Sequence, residues 1–302
     1  MATVRVITAQ HDIMRGIIFM TCAVSMFPFI NAAAKYLSAG YPVTEIVWAR
    51  FAGHLAFVVL AFFPRLRWAL FSTTRPTMQM TRSILLLAST CLFMSAIGYL
   101  PLATASAIGF ASPFIVTALS VPVLGEQVGI RRWSAVVVGF LGVLLIIRPD
   151  AGLANWAALL VFAATTCYAV YQVITRLIAL DDKPETGIVY AALVGTVVMS
   201  VIAPFDWRLP GSTLDWLAFG GLGFFGGFAH YFVMKALRCG PAAVIVPFSY
   251  GELVGATVLG YYAFGTFPDA WTWLGAAIII GCGAYIAYRE GVRRRMAAVA
   301  SD

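Results

Sequence analysis

A single glutamate, Glu252, lies near the middle of the apolar run 242–264, flanked by Tyr250, Gly251 and Gly255. That run is long enough to cross a bilayer, because about 20 apolar residues span about 30 Å of hydrocarbon. An acid at mid-depth opposes insertion by roughly 2.5–3.5 kcal/mol. Its presence is therefore read as the wall of a polar cavity inside a membrane protein, where it could bind a substrate or a coupling proton. Paired with a cation such as Arg50 it would instead be a fixed charge. The sequence leaves both readings open.

Few other ionisable groups fall inside apolar runs: Arg50, His54 and His230, with Glu45 near an interface. Arg50 and His54 are four apart and share a helix face, although a cation reaching for water would look the same. His230 follows Gly226-Gly227-Phe228-Ala229, a stretch small enough for helices to approach closely, so a packed hydrogen-bonding role competes with a functional one. Aromatic and polar residues that could complete a binding cavity are Asn31, Tyr168, Tyr171, Gln172, Ser249 and Tyr250, with Ser106, Ser112 and Thr117. Pro113 and Pro247 interrupt their helices and free backbone carbonyls, which is tolerated where neighbours or a wet cavity satisfy them.

Catalytic signatures are missing from the sequence. There is no P-loop and no His-Glu-x-x-His pattern, and His11, His54 and His230 do not cluster. The glycine-rich stretch 220–227 lies inside an apolar run and suits helix packing rather than phosphate. Five cysteines without paired spacing argue against a disulfide framework or a zinc site. Neither a cofactor nor a metal is implied, and the chain is not read as an enzyme.

The elements that must position these groups follow from composition. Of 302 residues 61% are hydrophobic and only 11% charged, against about a quarter charged in soluble domains. The fold class expected is all-α integral membrane. Ten spans are read, at about 16–37, 43–63, 81–100, 103–123, 133–148, 153–177, 186–204, 214–237, 242–264 and 271–288. Ala32-Ala33-Ala34 resembles a cleavage site, but the apolar stretch before it is longer than a signal peptide's, so an uncleaved helix is expected. With the N-terminus inside, 16 of the 20 basic residues fall on the cytoplasmic side, three (Lys35, Arg148, Arg208) on the outer side, and Arg50 within a span. That asymmetry places both termini in the cytoplasm. It also explains the net charge of +7 by anionic lipid rather than nucleic acid.

The two halves resemble each other. Ser25-Met26-Phe27 with Asn31 and Lys35 parallels Thr166-Cys167-Tyr168 with Gln172 and Arg176, and Gly125 and Trp133 parallel Gly265 and Trp273. Five spans per half force the copies to insert in opposite directions, the inverted-repeat plan of many secondary transporters. The division expected is a tail 1–15, repeats 16–148 and 153–288, and a basic tail 289–302. Lys35 and Arg176 would sit at opposite mouths, as gate residues or as ordinary snorkelling helix ends.

Several stretches together resemble the drug/metabolite transporter superfamily, specifically its EamA-domain branch, over nearly the whole chain. They are Tyr99-Leu100-Pro101-Leu102-Ala103 followed by 107–113, Leu124-Gly125-Glu126, Arg131-Arg132-Trp133 with Gly139 and Gly142, and Ile147-Arg148-Pro149. In the second half they are 227–230, Pro247-Phe248-Ser249-Tyr250 and Trp273-Leu274-Gly275-Ala276-Ala277. Arg50 resembles the arginine common in the family's second helix, and Lys35 the lysine ending its first. The resemblance implies two tandem EamA domains, ten helices, and secondary transport of a small organic metabolite across the bacterial inner membrane by alternating access. Its members include riboflavin, S-adenosylmethionine and amino-acid carriers, so substrate, direction and coupling ion stay open. Glu126 joins Lys35 and Arg176 as a gate candidate, but Thr266 stands where many second domains carry the matching acid. The expected partners are a small-molecule substrate and lipid, with a homodimer compatible. A non-transporting scaffold or sensor, or a membrane-embedded enzyme, is the alternative, and the sequence shows no soluble domain or clustered catalytic groups to favour it.

Overall fold

A computed structural model describes residues 2–125, 128–148, 153–178, 182–239 and 242–301. The described residues contain helices and turns but no strand. The first half comprises α1 (Ala2–Leu37), α2 (Val43–Leu66), α3 (Pro76–Ile97), α4 (Leu102–Gly109), α5 (Ser112–Leu124) and α6 (Ile130–Ile147). The second comprises α7 (Leu153–Ile178), α8 (Pro184–Ile202), α9 (Thr213–Cys239), α10 (Ala242–Ile245), α11 (Gly251–Phe264) and α12 (Ala270–Ser301). Among the described residues nine segments are long and apolar enough to cross a membrane. The remaining span read from sequence, 242–264, is present but broken: a 3-10 turn, Val246–Tyr250, separates α10 from α11.

Both breaks have a local cause. Pro113 sits in the first turn of α5 and Pro247 in the first turn of the 3-10 segment, where a residue without an N–H is tolerated. The breaks therefore fall at the same place in the two halves, in the fourth span of each. The far ends match as well: α5 and α11 each stop at a left-handed glycine, Gly125 at φ 68° and Gly265 at φ 63°, the conformation that glycine adopts without a Cβ penalty. Large apolar side chains such as Leu60, Val137, Val201, Leu214 and Val254 point outward, which a bilayer accommodates and water would not. The chain is an integral membrane protein.

Packing follows a two-fold exchange of the halves. Helix α1 packs on α9 as α7 packs on α3, α2 meets α9 as α8 meets α3, and α1 meets α11 as α7 meets α5. Two further pairs, α2 with α8 and α6 with α12, map onto themselves. One contact is backbone on backbone: a Cβ built on Gly53 would lie 2.4 Å from the Cα of Gly223. The α2–α9 contact thus depends on two glycines. Helix ends gather on two faces, one holding Lys35, Ile97 and Phe264, the other holding Leu66, Leu124 and Arg176.

Candidate functional site

The halves meet where the two broken spans touch, α4 against α11, with α1 packed beside α11. Glu252 lies in the first turn of α11, directly after the 3-10 turn. A helix start favours negative charge there. Gly255, on the same face, packs so tightly on Pro28 of α1 that a Cβ would come within 2.6 Å of the proline ring. That close approach brings Asn31 to Glu252: its Nδ2 donates to Oε1 at 3.4 Å. Ser106 of α4 donates its hydroxyl to the same oxygen, also at 3.4 Å. Both are longer than the usual 2.7–3.2 Å, so the carboxyl is lightly held and able to exchange these contacts for a ligand's.

Arg50 of α2 is the cation of this centre. Its charge acts on Glu252 and Tyr168 and on the imidazoles of His54 and His230. It forms no ion pair within 4.0 Å among the described residues. The glycine contact between α2 and α9 allows His54 and His230 to stack, with ring centroids 5.1 Å apart and planes 7° from parallel. His54 is buried, and its Nε2 has no hydrogen-bond partner among the described residues. Phe27 meets His230 edge-on at 5.9 Å. Tyr168 keeps 36% of its surface accessible, so it stands outside the packed core. Tyr171 stacks on it at 5.6 Å.

The structure thus gathers Glu252, Asn31, Arg50, His230 and Tyr168 into one centre, with Tyr171 next to it. Gln172 and Tyr250 play other parts. Gln172 donates to the Ser112 hydroxyl at 2.7 Å, tying α7 to α5. Tyr250 packs edge-on against Phe110 at 5.0 Å, and its hydroxyl occupies the space where a Cβ on Gly283 would stand. Lys35 and Arg176 lie at opposite ends of the molecule. Glu126 lies outside the described residues.

Sequence reading missed Arg82. It was counted among the basic residues of a membrane face, where arginine is common, yet its side chain is buried, at 4% exposure. It donates to the Gly187 carbonyl at 2.9 Å and to the Tyr171 hydroxyl at 3.3 Å, with the guanidinium 4.9 Å from that tyrosine's ring centre. A side chain on Gly187 would fill its place, since a Cβ there would be 2.8 Å from the guanidinium. Arginine inside the first turns of a long apolar helix was the available signal, and its proximity to the helix start concealed it.

Residues 14–148 and 155–289 each match the family described as the EamA-like transporter family, so the matched stretches take in both halves. The chain belongs to that family. Among its relatives, the riboflavin transporter of Vibrio cholerae is 30% identical over 293 residues, covering 95% of this chain and 97% of that protein. The S-adenosylmethionine uptake transporter of Rickettsia prowazekii is 28% identical, covering 93% and 95%. The pseudopaline exporter of Pseudomonas aeruginosa is 25% identical, covering 91% and 97%. A crystal structure 20% identical to the chain superposes with a TM-score of 0.65, covering 91% of this chain and 98% of the other. At that identity the likeness establishes the fold alone.

In this EamA-like transporter matching contacts join the two halves at each end. On the Lys35 face, Asp215 at the start of α9 accepts from the Tyr36 hydroxyl at 3.0 Å and the Tyr41 hydroxyl at 2.8 Å. Ser212 and Asp215 also cap the helix start reciprocally. On the Arg176 face, Asp182 in the α7–α8 connection accepts from the Thr73 hydroxyl, the Thr74 amide at 3.0 Å and Gln79 Nε2 at 2.7 Å. Burial pushes the Asp182 carboxyl up, but the hydrogen bonds from Thr73, Gln79 and Thr74 outweigh it and hold it below the usual carboxylate range. Lys35 donates to the carbonyls of Ile97 and Leu100 and lies 5.5 Å over Phe264. It borders a cavity of about 740 Å³ shared with Tyr36, Met94, Tyr99, Trp156 and Phe264.

Proposed function

We propose that this chain is a secondary transporter that moves a small organic metabolite across the bacterial inner membrane by alternating access. The observation that carries this reading is the position of Glu252. Its carboxyl sits where the two halves meet, beside the paired helix breaks, with only long contacts to Asn31 and Ser106. A site shared by two inverted halves can face either compartment when one half rocks against the other. The names of the relatives, riboflavin and S-adenosylmethionine transporters, favour a ring-bearing metabolite of similar size; amino-acid-like substrates fit the same site. Arg50 would set the charge of the site, and Tyr168 with Tyr171 would contact the ligand's ring. The bias of lysine and arginine puts the Arg176 face and both termini in the cytoplasm and the Lys35 face outside.

Glu252 would contact the substrate or exchange a proton with it. Accumulation of radiolabelled solute in proteoliposomes tests this. Glu252→Gln should lower uptake about tenfold or more, or remove its pH dependence, while the protein still inserts and purifies. Unchanged uptake across pH would remove Glu252 from coupling. No accumulation of any solute would favour a scaffold or sensor instead.

A further inference from the structure

On the Lys35 face the ends of α1, α3 and α11 and the start of α7 surround the cavity of about 740 Å³. That volume falls within the roughly 300–1,000 Å³ of small-molecule sites. Its wall includes one cation, Lys35, and among the described residues no acidic side chain. The ammonium is fixed in place: it donates to the Ile97 carbonyl at 3.2 Å and to the Leu100 carbonyl, and it lies 5.5 Å over the Phe264 ring. These carbonyls lie at the end of α3, where the partial negative charge of a helix end holds an ammonium without neutralising it. An ammonium has three N–H donors, so one is left for a ligand. Ser38, Ser95 and Tyr36 already give their hydroxyl protons to the carbonyls of Lys35 and Cys91 and to Asp215. Asp215 meets this wall through Tyr36, and its oxygens are also taken by Tyr41 and the Ser212 amide. Lys35 is thus the charged donor that the cavity offers.

Rings supply the rest of the wall. Tyr99 and Trp156 stand with ring centres 5.0 Å apart and planes 60° from parallel, which makes a corner of two flat surfaces. Tyr36 and Phe264 line the same cavity, and Met94 adds a polarisable thioether. Tyr36, Tyr99 and Trp156 are exposed, so their rings are open to a ligand. Aromatic residues are common where helices leave a membrane. Gathering four of them around one cavity with a fixed ammonium goes beyond what such a belt requires.

We infer that the cavity on the Lys35 face is a second binding site, one that takes an aromatic acid, with its carboxylate or phosphate on Lys35 and its ring against Trp156 and Tyr99. Phe264 stands at the far end of α11 from Glu252, roughly 18 Å along the helix at 1.5 Å per residue. The site is therefore distinct from the centre around Glu252, and it would bind the same ligand were Glu252 without a part in transport. A neutral ring forgoes the attraction of the ammonium, and a cationic ring is repelled by it.

The test uses the full chain in phosphatidylcholine nanodiscs, with Ser95→Cys in the cavity wall as reporter and the five native cysteines changed to alanine. Protection of that cysteine from a maleimide is titrated with three probes that share one ring: indole-3-acetate, indole-3-ethanol and tryptamine. Indole-3-acetate should protect at about tenfold lower concentration than indole-3-ethanol, and tryptamine should be the weakest. Lys35→Gln should bring the three together, and Trp156→Ala should weaken all of them about threefold. Equilibrium dialysis of the same probes on the unaltered chain gives the ranking without any variant, should one fail to fold. Equal protection by the three probes, protection by none, or a ranking that survives Lys35→Gln overturns the inference. So does protection in phosphatidylglycerol nanodiscs without a probe, which would give the cavity to lipid. Glu252→Gln should leave this protection in place while lowering uptake, so the failure of either reading is seen separately.

Discussion

The contacts that join the halves at the two faces occupy equivalent places and use opposite chemistry. On each face the connection between the first two helices of one half meets the start of the third helix of the other. On the Lys35 face the acid, Asp215, belongs to that third helix, and the connecting segment supplies a phenol, Tyr41, with Tyr36 beside it. On the Arg176 face the connecting segment supplies the acid, Asp182, and the α3 side supplies Thr73, Thr74 and Gln79. Surroundings differ as well. Tyr41 packs edge-on against Phe219 at 5.1 Å, so water is partly kept from the Lys35 contact, whereas hydroxyl and amide donors surround Asp182. The exchange symmetry dictates where such a contact can form; the side chains decide its chemistry.

Removing the two acids should therefore have unequal effects. Asp215→Ala strands two phenols and the cap of α9, and it is expected to give the largest change. Labelling of a cysteine placed at position 98, beside the 740 Å³ cavity, should rise roughly tenfold or more in rate. Asp182→Ala leaves hydroxyls that water can satisfy, so labelling from the Arg176 face should rise only about threefold. Equal rates in both variants would erase the contrast.

Acid offers a separate test of the Arg176 face. The Asp182 carboxyl is held below the ordinary range, so its contact contributes fully above the unfolded value and is lost as pH falls through the lower, folded one. Labelling on the Arg176 face should stay flat through neutral pH and rise only in strong acid, and a rise near neutrality would refute the assignment. The smallest effect belongs to Tyr41→Phe. It removes one donor to Asp215 and leaves Tyr36 in place, so labelling at position 98 should rise by a factor of about two.

The membrane fold was legible because insertion into lipid is read from apolar length, and apolar length is a local property. Glu252, Asn31, Arg50 and His230 stood out as polar groups at depth, and Pro113 and Pro247 marked both helix breaks. Gln172 and Tyr250 were equally conspicuous in type, yet they serve packing between α7 and α5 and between the 3-10 turn and α12. Arg82 was hidden for the reverse reason. Only Gly187, 105 residues further along the chain, makes a pocket for its guanidinium. Asp182 and Asp215 carry no comparable signal, because acids are common where helices begin.

Local chemistry, then, set which segments enter the bilayer, where they break and which few polar groups they carry with them. Partner choice was decided by the packing of the two halves, because a hydrogen bond or a stacked ring depends on distances between residues far apart in the chain. Helix α11 carries the acid, α2 the arginine and α7 the rings, and only the packing of the two halves brings these elements to one centre.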